Sequence, residues 1–411
     1  MTSAWAPAGW TETSLSRIAQ SYSRRQPLGS DEPFVLLDDA RGDGCAFQFA
    51  SPKAIIEAMR LDDVTPCLER MRAALSEGRY LAGYLAYEAG MAFEPRVSRL
   101  AAQTDTPLLW FGEFDRPRVC KPATWHVRPH HYQPPPVRPL IDAVRYKEDV
   151  KTIADYIAAG DIYQANFTFE AAVGVPPEAL AELYWQVRQM QRAGWGALIE
   201  TGCQSIASLS PENFFSLDRG RVCVKPMKGT ALRQAEPAAD MAAARLLAAN
   251  PKDRAENLMI VDLLRNDLSQ VSMPGSVKVA SLFDVETYPT VHQMTSTITA
   301  CLVDDCDAVA LLMAMFPCGS VTGAPKVRAM EVIAEIERRP RGIYTGSIGY
   351  LAPDGSAAFN VAIRSIESSH GRPPHMGIGS AIVADSVAEA ELAECLAKAR
   401  FLTAPAAAAP C

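Results

Sequence analysis

From Tyr146 onward the apolar positions fall at helical spacing: Tyr146, Val150, Ile153 and Ile157, with Gly160 where a helix would stop. The period then changes. IYQANFTFE from Ile162 predicts a strand, and a helix is expected from about 177 to 192. Four short apolar runs follow, WGALIET, QSIASLS, NFFSLD and RVCVKPM, each bounded by turn residues and each read as a strand. Helices are expected over 238–250 and 254–268, a Thr-rich strand over 291–302, and two more helices after Pro325 and over 387–402. Nearer the start, FVLLDD at Phe34 and YLAGYLAYEAG from Tyr80 read as strands, with a helix over 64–76 between them. Strands come in consecutive groups rather than alternating one for one with helices. This favours an α+β fold with largely antiparallel sheets. No short repeat is present.

One stretch breaks the pattern. RPRVCKPATWHVRPHHYQPPPVRPL, from Arg116 to Leu140, carries Pro134, Pro135 and Pro136, which favour extended polyproline backbone. It reads as a connector (116–140) between an N-terminal segment, 1–115, and a main catalytic unit, 141–405, both parts of one α+β body.

Composition narrows the function. The chain has 411 residues, 48% hydrophobic and 21% charged, with a net charge of −7. A general nucleic-acid or membrane-surface binder would show a basic excess. An anionic small molecule would have to be met locally by Lys, Arg or a metal. The ten cysteines are scattered, with no C-x-x-C and no zinc-like spacing. No signal peptide is read at Met1 to Trp10, and no apolar run is long enough to span a bilayer. A reducing, cytoplasmic setting with free thiols is the expectation.

Four stretches carry chemistry. KDRAENLMIVDLLRNDL (Lys252 to Leu268) is apolar over most of its helical surface, yet holds Glu256 and Asp262. A buried carboxylate is costly unless paired or metal-bound, so either a salt bridge to Arg254 or Arg265 or a cation would account for it. ADSVAEAELAECLAKAR places Glu391, Glu394 and Lys398 along one helical face, with Ser386 as the expected cap. A Glu394–Lys398 ion pair, worth about 0.3–0.5 kcal/mol, would satisfy that pattern. So would three carboxylates meeting around Mg²⁺, which takes oxygen ligands and usually only one or two carboxylates directly. FPCGSVTGAPKVRAM has Gly319, Gly323 and Pro325 ahead of an amphipathic helix; it is a turn and helix start, or a cradle for a carboxylate. VKPMKGTA sets Lys228 beside Gly229 after a strand, where a lysine is either a snorkelling surface residue or, with its pKa lowered, a nucleophile. Glu212, in SLSPENFF, is a turn residue until something brings it near Lys228. Tyr344, Arg364 and Gly379 lie in RGIYTGSIGY, FNVAIRSIE and GIGSAIVADS. Arg364 could grip a carboxylate bidentately or make a surface ion pair.

Together and in order, ENLMIVDLLRNDL, GSVTGAPKVRAME, YTGSIGY and IVADS resemble the chorismate-utilising enzymes, densely from about Tyr146 to Leu402. The resemblance implies two orthogonally packed, largely antiparallel β-sheets flanked by helices around a deep cleft. It implies that Glu256 and Glu394, with Glu391 as the neighbouring acid, hold magnesium. It implies that Tyr344, Arg364 and Lys398 contact substrate carboxylates, that Thr322 and Gly379 form pocket turns, and that His292 lies near the ring. Members that aminate chorismate at ring carbon 4 carry a lysine like Lys228, whereas anthranilate synthases typically carry alanine. The implied reaction has Lys228 adding to carbon 2 while Glu212 protonates the departing 4-hydroxyl. Ammonia then enters at carbon 4.

The sequence also departs from the family. Ala231 follows Thr230 where an Arg is usual, with Arg233 two positions on. The glycine turn reads Gly379, Ser380, Ala381. VLLDDA lacks the Leu-Leu-Glu-Ser stretch that resembles tryptophan-feedback sites, which leans toward carbon 4. Isochorismate and salicylate synthases carry Lys where this chain has Gln164. No Gly-x-Cys-x-Gly run is found, so ammonia is expected from a separate glutamine amidotransferase subunit, and no fused lyase is expected. The competing readings are an anthranilate synthase component and a non-catalytic chorismate-binding subunit. The intact set of Glu212, Lys228, Glu256 and Glu394 argues against the latter.

Overall fold

A computed structural model describes residues 3–6, 32–41, 44–120, 132–288, 291–369 and 371–402. Within them the chain forms two ten-stranded antiparallel sheets. In spatial order the first runs Gly323–Ala324, Gln164–Val173, Arg372–Ile382, Ser365–Ser369, Gln204–Ser210, Trp195–Glu200, Phe34–Asp38, Ala46–Ala50 and Arg118–Cys120, with Val137–Pro139 beside Gln164–Val173. The second runs Met227–Leu232, Val291–Cys301, Arg221–Lys225, Asn213–Asp218, Ala357–Asn360, Ser347–Leu351, Tyr80–Leu85, Leu109–Phe114 and Ala54–Ala58, with Lys278–Thr287 on the far side of Val291–Cys301. Strands before residue 116 thus join both sheets. Much of the Pro-rich stretch, 121–131, lies outside the described residues; its flanks pair as Arg118–Cys120 on Ala46–Ala50 and Val137–Pro139 on Gln164–Val173.

Two faces of each sheet are buried, which explains the sequence pattern. In Phe34–Asp38, Phe34 and Leu36 enter a core under the helices, while Val35 and Leu37 enter the core between the sheets. A strand covered on both sides reads as a continuous apolar run, and each such side chain contributes roughly 1.5–3 kcal/mol of burial. Gln164–Val173 alternates instead: Ala165, Phe167, Phe169 and Ala171 pack under helices Ala143–Ala158 and Lys326–Glu337, leaving Gln164, Asn166 and Thr168 on the opposite face. The inter-sheet core holds Trp5, Tyr84, Trp110, Trp195, Ile348 and Tyr350. A third core covers the outer face of the second sheet with Leu61–Ser76, Pro251–Ser269 and Ala308–Met315.

Three expectations need correction. The run from Tyr80 is a strand only to Leu85; Tyr87–Phe93 coils into a 3₁₀ turn, because buried Glu88 accepts backbone N–H groups of Arg341 (2.6 Å) and Gly342 (3.1 Å). The helix after Pro176 opens with a 3₁₀ turn, Pro177–Ala179, before Leu180–Gln191. Lys278–Thr287 was not expected at all, since its register slips twice and blurs its alternation.

Candidate active site

Two helices and two strand ends converge on Lys228. The helix Pro251–Ser269 starts where it does because Asn250 accepts from the N–H groups of Lys252 (2.9 Å) and Asp253 (3.3 Å), with Pro251 at the first position. That start sets Asp253 and Glu256 beside the turn after Lys228. Gly229 has φ +87°, and a Cβ there would lie 2.9 Å from Asp253 Cβ, so the turn needs glycine twice over. Glu212 sits at the entry to Asn213–Asp218, its carbonyl accepting Val361 N–H at 3.1 Å. The helix Ala388–Lys398 brings Glu394 and Lys398 from the opposite side.

Lys228 is partly buried, and its amine makes no hydrogen bond or ion pair with the described residues. Burial lowers its pKa below the ordinary lysine value; Lys398 adds to this, while Glu256, Glu212 and Glu394 oppose it. Burial pushes the Glu212 carboxyl up to about 7, although Ser320, Lys228 and the Met227 N–H pull it back. One Glu212 oxygen, Oε1, is buried with no partner. Burial also raises Glu256, as do Asp253 and Glu394, against Lys228 and Lys252. Burial opposes ionisation of Glu394, but Lys398 holds its carboxyl below the usual range. The arrangement is a partly desolvated amine facing a neutralisable acid on one side and, on the other, Glu256 and Glu394, whose own partners are Lys252 (4.0 Å) and Lys398 (2.9 Å).

The remaining expected residues divide. Lys398 bonds Glu394 (2.9 Å) and the carbonyl of Gly379 (2.9 Å), so the i,i+4 pair forms and ties the helix to the strand Arg372–Ile382. Glu391 is buried and accepts from Ser386 Oγ at 2.7 Å. Ser386 is therefore not the cap; Val387 takes that position without a side-chain bond. Among the described residues no three His, Cys, Asp or Glu side chains gather as a metal cluster. Tyr344 is buried with its ring flat on Gly377, where a Cβ would come within 2.0 Å, and burial raises its phenol. Arg364 is partly buried at φ +50°; burial lowers its pKa, and its guanidinium has no ion-pair or hydrogen-bond partner among the described residues. Thr322 donates its hydroxyl to the carbonyls of Cys318 and Gly319, each 3.3 Å away. His292 lies opposite Ala231 on the neighbouring strand; its Nε2 is 2.9 Å from Asp240 and its Nδ1 3.1 Å from Thr287 Oγ1, so both ring nitrogens are engaged. Arg233 is likewise committed, to Asp240 at 2.8 Å and the Tyr288 carbonyl at 2.9 Å.

Residue-level reading missed three groups. Asp253 borders the Lys228 turn, Ser320 faces Glu212, and Gln164 is wholly buried with both amide atoms unpartnered. Asp253 and Ser320 gave no signal of their own, and Gln164 was marked only by resemblance.

The chain belongs to the chorismate binding enzyme family, which it matches over residues 32–404. Over 260 residues it is 42% identical to aminodeoxychorismate synthase component 1 of Salmonella typhimurium, covering 63% of this chain and 57% of that protein. Over 334 residues it is 37% identical to the protein of the same name from Klebsiella aerogenes, covering 76% of this chain and 74% of that one. The chain thus spans little more than half of the first relative and about three quarters of the second. Its fold is shared with anthranilate synthase component I from Streptococcus pneumoniae (TM-score 0.70, 23% identity, 94% of this chain and 95% of that one). The same holds for an isochorismate synthase from Bacillus anthracis (TM-score 0.70, 17% identity, 94% and 98%). No disulfide joins the nine cysteines among the described residues, and no described helix is long and apolar enough to cross a membrane.

Proposed function

We propose that this chain is the chorismate-aminating component of an aminodeoxychorismate synthase, converting chorismate and ammonia to 4-amino-4-deoxychorismate. The observation that carries the reading is the amine of Lys228, partly desolvated and unpaired, within electrostatic reach of the buried Glu212 carboxyl. Nothing in the fold requires a lysine there, since it bonds to no described group.

In this mechanism the neutral amine of Lys228 adds to ring carbon 2. Both double bonds of the ring diene shift, the bond from carbon 4 to its hydroxyl breaks, and Glu212 supplies the proton that lets it leave as water. Ammonia then adds at carbon 4, both double bonds shift back, and Lys228 departs from carbon 2. Two displacements are needed for nitrogen to end where the hydroxyl was. Direct attack of ammonia at carbon 2 would lead toward anthranilate. Arg364, a cation with no counter-charge, suits a substrate carboxylate.

Magnesium fits the acidic side. Glu256 and Glu394 stand close enough for each to feel the other's charge, and no cation other than lysine balances them. They would hold the ion, with Glu391, bonded to Ser386, acting through water. Bound there, magnesium would neutralise a substrate carboxylate. Ammonia would come from a separate glutamine amidotransferase subunit, and the enzyme would act in the cytoplasm.

The test is product identity. Purified protein with chorismate, ammonium and Mg²⁺ should yield 4-amino-4-deoxychorismate by mass, without anthranilate fluorescence. Fluorescent anthranilate as the main product would reject the assignment, and binding without turnover would favour a non-catalytic subunit. Glutamine should support turnover only when a glutaminase subunit is added.

A further inference from the structure

The strand Met227–Leu232 loses its regular pairing at the lysine it carries. Met227 stands opposite Thr295 and Thr230 opposite Gln293, so Lys228 and Gly229 together oppose the single residue Met294. This is a β-bulge, which bends its strand and re-aims the side chains on it. Its near end is pinned, since Ser296 N–H donates to the Pro226 carbonyl at 3.2 Å. Inside it the ladder is broken, and the Gly229 carbonyl takes its hydrogen bond from a side chain instead: Gln293 Nε2 donates to it at 2.8 Å. The other end of the same amide is held as well, because Thr230 Oγ1 donates to Gln293 Oε1 at 2.9 Å. A carbonyl only accepts, so the amide has to turn its NH₂ group toward Gly229, and the Thr230 hydroxyl keeps it turned that way. Gln293 is half-buried and Thr230 exposed. A half-buried amide on one strand thus spans the bulge on the next.

We propose, resting on the function proposed above, that Gln293 is a positioning residue for Lys228, acting through the bulge. Gly229, at φ +87° and with no side chain, is the freest joint in the strand. Its carbonyl is the one backbone group through which the neighbouring strand can stop that joint from turning. With the carbonyl tied to Gln293, the backbone just after Lys228 is fixed, and so is the direction in which the lysine leaves the strand. A flexible four-carbon stem reaches its target reproducibly only when its root is still. Misplacing a reacting group by about 1 Å can cost on the order of 10²-fold in rate. Gln293 is neutral and bonds to the bulge rather than to the amine. Its loss therefore slows the attack on chorismate without altering the charge around Lys228.

The experiment compares wild type with Gln293→Met, which keeps the length and loses both bonds, with Thr230→Val, which keeps the shape and loses the hydroxyl, and with Thr230→Ser, which restores it. For each, kcat and KM for chorismate are measured in 4-amination with ammonium and Mg²⁺, beside the midpoint of urea unfolding. Gln293→Met should lower kcat by roughly 10- to 100-fold, the scale of a misplaced reacting group. Its KM should stay within about twofold of wild type, the split expected when attack and not binding is impaired. Thr230→Val should lower kcat in the same way by less, and Thr230→Ser should return it to the wild-type value. A wild-type kcat in Gln293→Met, with or without a lowered unfolding midpoint, overturns the proposal, since the amide would then serve only the fold. So does a raised KM at unchanged kcat, which would make Gln293 a substrate contact. A kcat in Thr230→Ser as low as in Thr230→Val also counts against it. Lys228→Ala separates the layers: full 4-amination in that variant defeats the underlying function. An inactive Lys228→Ala beside an unimpaired Gln293→Met defeats only the role of Gln293.

Discussion

Two buried ionic regions of this molecule are built on opposite terms. Around Arg341 all five guanidinium N–H groups find acceptors, and only the Tyr87 hydroxyl beside them has none. Its guanidinium donates to both oxygens of Glu337 (2.7 and 2.9 Å), to the carbonyls of Val321 (2.9 Å) and Asn166 (2.6 Å), and to Thr345 Oγ1 (3.3 Å), and it stacks 4.4 Å from the centre of the Tyr87 ring. Around Lys228 bonds are missing: the amine has no partner among the described residues and Glu212 Oε1 has none; Arg364, which feels Tyr288, likewise has none among the described residues. A saturated network serves the fold, whereas an unsaturated one costs stability unless a ligand completes it. The difference locates the place where the protein expects something else to bind.

Substitutions can break or sharpen this contrast. The largest effect should come from Lys228→Ala, which is expected to lower formation of the 4-amino product by ~10³-fold or more, as loss of a covalent nucleophile does. Product analysis by mass should find any residual turnover diverted to anthranilate. Wild-type 4-amination in that variant would remove the covalent lysine from the account. Next, Arg341→Met should destabilise the protein by about 3–5 kcal/mol in urea unfolding, because it strands Glu337. Arg364→Met should leave stability unchanged or higher, yet raise KM for chorismate roughly tenfold to a hundredfold, the worth of a charged hydrogen bond. Equal destabilisation by the two would erase the distinction between the regions. The pH-rate profile should fall with an apparent pKa near that of Glu212, which burial places at about 7. The acid is protonated below that point and spent above it, so a rate that climbed steadily through pH 7–8 at fixed free ammonia would speak against Glu212 as the proton donor. The smallest change in stability is expected for Glu394→Gln. Its pair with Lys398 is half exposed, at 57% and 46%, so stability should move by under about 0.5 kcal/mol. The Mg²⁺ concentration needed for turnover should nevertheless rise. A large stability loss with unaltered Mg²⁺ dependence would make Glu394 a structural residue.

What the sequence disclosed follows from the same contrast. Helices with one apolar face, such as Ala143–Ala158, were legible because their period is enforced by a single core. Ala308–Met315 was not, since AVALLMAM is apolar all round and carries no period. Glu256 stood out as a costly group in an apolar helix, whereas Glu212, Lys228, Glu391 and Glu394 were given their roles only by resemblance. Ser320 and Asp253 were not, because a turn serine and a first-turn aspartate are commonplace until the fold sets them against Glu212 and Gly229. Arg341 was not singled out from the sequence; only the tertiary fold closes Glu337, Asn166 and Val321 around it. His292 could be placed by resemblance, but its engagement by Asp240 depends on a helix distant in sequence.

The most direct measurement is peptide mass spectrometry of the protein mixed with chorismate and Mg²⁺ without ammonia, after acid quenching. The account predicts a modification on Lys228 equal to chorismate less one water, which disappears when ammonium is added before the quench. An unmodified Lys228 in protein that nonetheless makes 4-amino-4-deoxychorismate once ammonium is supplied would contradict it.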